Sequence, residues 1–111
     1  MSNYGWKNNG INVKTLIGSI ESVSGAGPIN TTDLITEVTT TGTDALTLAN
    51  GSSFGQLKVI KAIDASSGTG TVTPTSLLDG TTIAFDNTDY AVLYWNGSAW
   101  CVISANATVG A

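Results

Sequence analysis

From Leu34 onward the chain is a succession of short runs in which apolar or β-branched residues alternate with polar ones. The runs are Ile35 to Thr41, Ala45 to Ala49, Gln56 to Ala65, Thr71 to Thr73, Thr81 to Phe85, Tyr90 to Asn96 and Ala99 to Ser104. Side chains on a strand point to opposite faces at every second residue, so this alternation predicts strands with at least one face in a core. Turn pairs separate the runs: Thr41-Gly42, Asn50-Gly51, Ser67-Gly68, Asp79-Gly80 and Asn96-Gly97. Glycine supplies the positive φ that tight turns need, and Asn and Asp tolerate it. No helical pattern is interleaved with the strands, so the expected fold is all-β. A small antiparallel β-sandwich or barrel, jelly-roll-like, fits many short strands with regular turns.

The first thirty residues read differently. Gly5, Gly10, Gly18, Gly25, Gly27 and Pro28 interrupt them, and Ile11 and Val13 alternate as in a strand while Leu16, Ile17, Ile20 and Val23 follow helical spacing. The stretch from 11 to 23 is therefore open to either element. Residues 1–30 are expected to form an extended N-terminal arm, and 31–111 the β-domain. Tyr4 and Trp6 sit in the Gly/Asn-rich part of the arm, where no core of its own is evident. Isolated aromatics on such a segment suit anchors that fill a pocket on a partner, or a flap folded back over the domain's own sheet.

The densest apolar stretch is 92–103, VLYWNGSAWCVI, which holds two of the three tryptophans and the single cysteine. Asn96-Gly97 suits a two-residue type I′ turn. That turn sets Trp95 opposite Ser98, Leu93 opposite Trp100 and Ala91 opposite Val102 on one face, with Tyr94–Ala99, Val92–Cys101 and Tyr90–Ile103 on the other. Both faces are then apolar, so one covers the core and the second is expected to meet something else. Tyr90, Val92, Tyr94, Trp95 and Trp100 are accordingly the candidate core or subunit-interface residues. Trp100 reads as core and Trp95, beside the turn, as the more exposed of the two. Cys101 reads as a small buried hydrophobe.

Composition narrows the function. Charged residues are 11% of the 111, against about 25% in ordinary globular chains. Low charge leaves little repulsion between copies and suits a chain that works packed against neighbours. The basic residues are Lys7, Lys14, Lys58 and Lys61, with eight acids, no arginine and no histidine, for a net charge of −4. The cationic footprint that drives nucleic-acid binding is missing. The commonest general base and metal ligand is missing too, so no enzyme, metal or cofactor is expected. One cysteine implies no internal disulfide, and no apolar stretch of about twenty residues predicts a membrane span. The chain is expected to be made in a cytoplasm.

The remaining motifs are structural. Asp86-Asn87-Thr88-Asp89 lacks the glycine and distal glutamate of a calcium loop and reads as a turn. Asp33, Glu37, Asp44 and Asp64 are scattered, with nothing in the sequence to pair them across a cleft.

Five stretches carry a resemblance: Thr-Leu-Ala-Asn-Gly (47–51), Gly-Gln-x-Lys-x-Ile (55–60), Thr-Val-Thr-Pro (71–74), Gly-Thr-Thr-Ile-x-Phe (80–85) and Leu-x-Trp-x-Gly-x-x-Trp (93–100). Together they make residues 35–103, roughly two-thirds of the chain, resemble a module of virion proteins of tailed bacteriophages, especially those of cyanobacteria. The module occurs in capsid decoration (cement) proteins, head fibres and tail-fibre pieces. The resemblance implies an all-β, usually trimeric structural protein. A short chain without a fibre shaft suits the decoration role. Its partners would be the major capsid protein and sister copies in a homotrimer on the outer capsid surface. The arm residues Tyr4, Trp6, Ile11, Val13, Leu16 and Ile17 would then contact the capsid. The alternative is a receptor- or glycan-binding module built on Trp95 and Tyr94.

Overall fold

The computed structural model describes residues 18–111. They form a β-sandwich of two five-stranded sheets. The strands are β1 (Ile20–Ser24), β2 (Gly27–Ile29), β3 (Ile35–Thr39), β4 (Asp44–Leu48), β5 (Leu57–Asp64), β6 (Gly70–Pro74), β7 (Thr82–Phe85), β8 (Tyr90–Trp95), β9 (Trp100–Ala105) and β10 (Thr108–Gly110). The first sheet runs β1-β3-β5-β8-β9 and the second β10-β7-β6-β4-β2. The seven runs expected between 35 and 104 are all present, each within a few residues of its expected ends. Within the expected arm, residues 20–29 supply the first strand of each sheet, and 11–17 lie outside the described residues.

The sandwich is as expected; the pairing within its sheets is mixed. β1, β3 and β5 are parallel neighbours, as are β2, β4 and β6, whereas β8 and β9 continue the first sheet antiparallel, and β7 and β10 the second. Parallel neighbours need a crossover, which is usually a helix. Here a strand of the opposite sheet does that work: the path from β1 to β3 passes through β2, and that from β3 to β5 through β4. Without helices to mark them, parallel pairs are invisible in the hydrophobic pattern.

Alternation places the core. β4 alternates buried and exposed from end to end, and β3 and β7 bury every second residue. Val38, Ile60, Ala91 and Leu93 of the first sheet meet Leu46, Leu48, Val72, Ile83 and Phe85 of the second in one continuous core. Fully burying each large aliphatic or aromatic side chain contributes about 1.5–3 kcal/mol. The β9 edge of the first sheet is covered by the segment after β6. Trp100 donates its N–H to the Ser76 carbonyl, Leu78 donates to Trp100, and the Asp79 carboxylate accepts from the Val102 N–H at 2.8 Å. Over Trp100–Val102 the edge is thereby closed to pairing with another chain.

Two glycines have specific work. A Cβ on Gly51 would lie 2.5 Å from Cγ of Trp95, so the loop between β4 and β5 closes over the indole only with glycine there. Gly51→Ala is expected to displace the ring or the loop and cost about 1–3 kcal/mol, read as a lower urea midpoint with an unchanged slope. Gly97, at φ 96°, carries the ring of Phe54 against its backbone at the hairpin tip.

Candidate functional site

The hairpin that drew attention in the sequence folds with a different register. Trp95 is opposite Trp100, Tyr94 opposite Cys101 and Leu93 opposite Val102; a bulge at Ile103 then puts Val92 opposite Ser104 and Ala91 opposite Ala105. The connection is a four-residue loop, 96–99, instead of a two-residue turn. Asn96 is the reason: its Oδ1 accepts from the N–H groups of Ser98 and Ala99, both at 2.8 Å, and its own N–H donates to the Ala99 carbonyl. Such side-chain bonds to the following backbone compete with the tight turn. The slip is two residues, an even number, so up to the bulge each residue keeps its expected face.

That face assignment decides the roles. Trp100 is fully buried and donates its Nε1–H to the Ala49 carbonyl at 2.9 Å. Trp95 is only 6% exposed and packs edge-to-face on Trp100, with ring centroids 5.5 Å apart. Trp95 is the more exposed of the two, as expected, but only slightly, because the Asn50-Gly51 loop seals it. Cys101 is buried, as expected. Tyr90, Val92 and Tyr94 point outward, Tyr94 at 38% exposure. The expected arm contacts Tyr4, Trp6, Ile11, Val13, Leu16 and Ile17 lie outside the described residues.

The outward hairpin residues belong to a larger surface. Register pairing carries a row across all five strands of the first sheet: Ile20, Ile35, Val59, Val92 and Ser104. On one side of it lie Leu57, Tyr94 and Cys101; on the other lie Ser22, Glu37, Lys61 and Tyr90. Ile20 is 55% exposed and Ile103 56%. Ile35, Val59 and Val92 between them are half-buried, and Cys101 is buried. The outer face of the second sheet has another chemistry: its rows read Pro28-Thr47-Thr73 and Ala45-Thr71-Ala84-Thr108. Small and hydroxyl-bearing side chains are readily wetted, whereas rows of Ile, Val, Leu and Tyr are not. One sandwich thus has a watery side and an oily side.

The sequence reading found the hairpin's share of this face and missed the rest. The signal was present in Leu57-Lys58-Val59-Ile60-Lys61-Ala62-Ile63, where both phases of the alternation are largely apolar. The same stretch holds the second missed feature, Lys58, in phase with Ile60 and Ala62 and fully buried. Its ammonium donates to the Asp33 carbonyl at 2.8 Å and reaches Asn30 Oδ1 at 3.5 Å. Glu21, alongside, accepts from Thr36 Oγ1 at 2.7 Å and from the Asn30 N–H. Burial lowers the Lys58 pKa, and the charges of Glu21 and Asp33 partly oppose that. This cluster ties β1 and the 30–33 loop to β3 and β5.

Asp33 closes the loop with the Ser19 hydroxyl and the Asn30 side chain, and these hydrogen bonds hold its carboxyl below the ordinary value of 3.8. A carboxylate with a depressed folded pKa contributes stability above its unfolded value and loses it as pH falls through the folded one. The wild type is therefore expected to lose stability below about pH 4. Asp33→Asn should show a shallower acid limb in thermal melts; an identical limb would remove Asp33 from the account.

The other candidate chemistry is structural in place. Across the turn between β7 and β8 the Asp89 carboxylate accepts from the Asp86 N–H and the Asp89 N–H donates to the Asp86 carbonyl. Asp44 accepts from the Thr41 N–H, and Asp64 from Ser66. Among the described residues no group of three His, Cys, Asp or Glu is placed to hold a metal ion. A shallow cleft of about 520 Å³ lies beside the β6–β7 connection, lined by Pro74, Leu77, Leu78 and several Thr and Ser with no charged side chain. No protein-family model and no curated protein matches the sequence.

Proposed function

We propose that this chain is a capsid decoration (cement) protein of a tailed bacteriophage, made in the host cytoplasm and bound to the outer surface of the assembled head. Its partners are the major capsid protein and sister copies in a homotrimer, and its role is binding, not catalysis. The observation that carries the reading is the oily outer face of the first sheet. A small domain with a complete core of its own, and a second apolar face besides, is built to work in contact with other protein. The low charge of the chain and the motifs over 35–103 that resemble the virion module point the same way. The glycan-platform alternative has lost its leading residue, since Trp95 is sealed beneath the Gly51 loop.

The mechanism is linkage. A protein that binds only the assembled shell stabilises it by mass action, and many modest contacts repeated by symmetry suffice. Residues 1–17, with Tyr4 and Trp6, supply the contact to neighbouring capsid subunits. The test is cosedimentation with empty heads of the phage that encodes the chain, together with the heads' melting temperature. Full-length protein should pellet with the heads and raise that temperature, and deletion of 1–17 should weaken both effects. Failure of the full-length protein to pellet with heads would overturn the proposal.

A further inference from the structure

We infer that Lys58 and Asn30 are the two ends of a covalent cross-link that the folded chain makes by itself, an amide bond between Lys58 Nζ and Asn30 Cγ closed with release of ammonia. The bond would tie the end of β2, in the second sheet, to β5 at the centre of the first. Such a link forms whether or not the chain meets a phage head.

The nucleophile is set up by its place in the fold. Lys58 lies on the inward phase of a central strand and is fully buried, where an ammonium loses its hydration. Burial holds the amine below its ordinary 10.5, and the charges of Glu21 and Asp33 oppose this only in part. At any given pH more of it is therefore the neutral amine than an exposed lysine would offer. The half-buried Asn30 amide stands beside it, with Oδ1 at 3.5 Å from Nζ. Holding the two groups together in one fold replaces a bimolecular encounter, and well-oriented pairs reach effective concentrations of about 10⁵–10⁸ M.

The electrophile is set up as well. Asn30 Oδ1 accepts from the Asp33 N–H at 3.0 Å, which polarises the carbonyl and supports the negative charge it gains on attack. Asn30 Nδ2 donates to Asp33 Oδ2 at 2.7 Å, so a carboxylate already touches the nitrogen that must leave. A structural anchor for the loop would need only the Asp33 carbonyl, which accepts from Nζ at 2.8 Å. In the reaction Lys58 first sheds a proton to solvent, and the neutral Nζ attacks Cγ. The Nζ–Cγ bond forms, a second proton passes from Nζ through the Asp33 carboxylate to Nδ2, and the Cγ–Nδ2 bond breaks to release ammonia. An ammonium and a primary amide become a secondary amide and an ammonium ion, with no change of oxidation state.

The chain has one cysteine, so no internal disulfide can join its sheets. The amide link would close a covalent loop from 30 to 58 and constrain the unfolded chain as a disulfide does, yet ignore reducing agents. The alkaline response of Lys58 belongs to the open form and ends with closure.

The experiment is intact-mass spectrometry with peptide mapping on the full-length chain, kept at mildly acidic pH and then incubated at alkaline pH while folded. The mass should fall by one ammonia, a branched peptide joining residues 30 and 58 should appear, and the melting temperature should rise. Lys58→Arg and Asn30→Ala should give no branched peptide, and Asp33→Asn should form it about 100-fold more slowly. A folded wild type without the branched peptide after incubation overturns the inference. So does ammonia loss mapped only to Asn9, Asn50 or Asn96, each followed by glycine, since succinimide closure is then its source. Formation of the branch at an undiminished rate in Asp33→Asn would overturn the role given to that carboxylate.

Discussion

Trp100→Ala is expected to lower stability by about 3–5 kcal/mol, the range for removing a large aromatic from a packed core. Unfolding free energies of small domains are only about 5–15 kcal/mol, so the variant should be partly unfolded at ambient temperature. Trp100 is fully buried, its ring meets Trp95 edge-on, and its Nε1–H satisfies the Ala49 carbonyl at the end of β4. It therefore joins three pieces: the β8–β9 hairpin, the last residues of β4 and the loop that covers Trp95. Alanine would remove the ring and leave a cavity whose walls are strands held by their ladders and unable to collapse. Trp100→Phe separates the contributions, because it keeps most of the ring and loses the hydrogen bond. Its cost should be smaller, about 0.5–1.5 kcal/mol for the lost hydrogen bond, because the exposed Ala49 leaves its carbonyl within reach of water. Urea titration followed by circular dichroism measures both. A loss below about 1 kcal/mol in the alanine variant is incompatible with this core.

Lys58→Met should cost about 2–4 kcal/mol, even though methionine fills nearly the same volume. Replacing a buried ion by a hydrophobe is often harmless when all its partners are replaced as well, and costly when they remain. Here they remain: the Asp33 carbonyl and Asn30 Oδ1 lose their donor, and Glu21 loses its neighbouring positive charge. The damage should be local to β1 and the 30–33 loop, seen as faster amide exchange there than in β5 or β8. Alkaline pH gives an independent check. Burial holds the Lys58 pKa below its ordinary 10.5, so the folded chain releases this proton before the unfolded chain does. Between the two values the unfolded state binds more protons, and raising the pH favours folding. The wild type should gain from this group on approaching pH 10.5 from below, and Lys58→Met should lack that gain.

The strands from 35 to 104 were legible because each lies half in a core and so alternates at the strand period. β2 and β10 were not, for Gly-Pro-Ile and Thr-Val-Gly are three-residue pieces with no period to read. β1, Ile-Glu-Ser-Val-Ser, offers only two apolar residues and is a strand through its pairing with β3. In each case neighbours in space, not local preference, set the conformation. The hairpin register failed at one side chain, Asn96, while the sorting of residues to faces survived the even slip. How deeply Trp95 is buried was not legible, because its cover comes from a loop more than forty residues earlier, which no local pattern reveals. Of the candidate site, the outward Val92 and Tyr94 were readable from two-sided apolarity. Ile35 and Val59 carried the same signature and become significant once the strand order sets them beside the hairpin.

The chain changes sheet at every connection except β6–β7 and β8–β9. Neither half of the sandwich is consequently a contiguous stretch of sequence, and neither can be peeled away without unlacing the other. A protease that nicks one corner should find no autonomous fragment to release, and thermal melting should be a single all-or-none event. In the proposed decoration role, this stitching would spread a pull on any one strand across both layers.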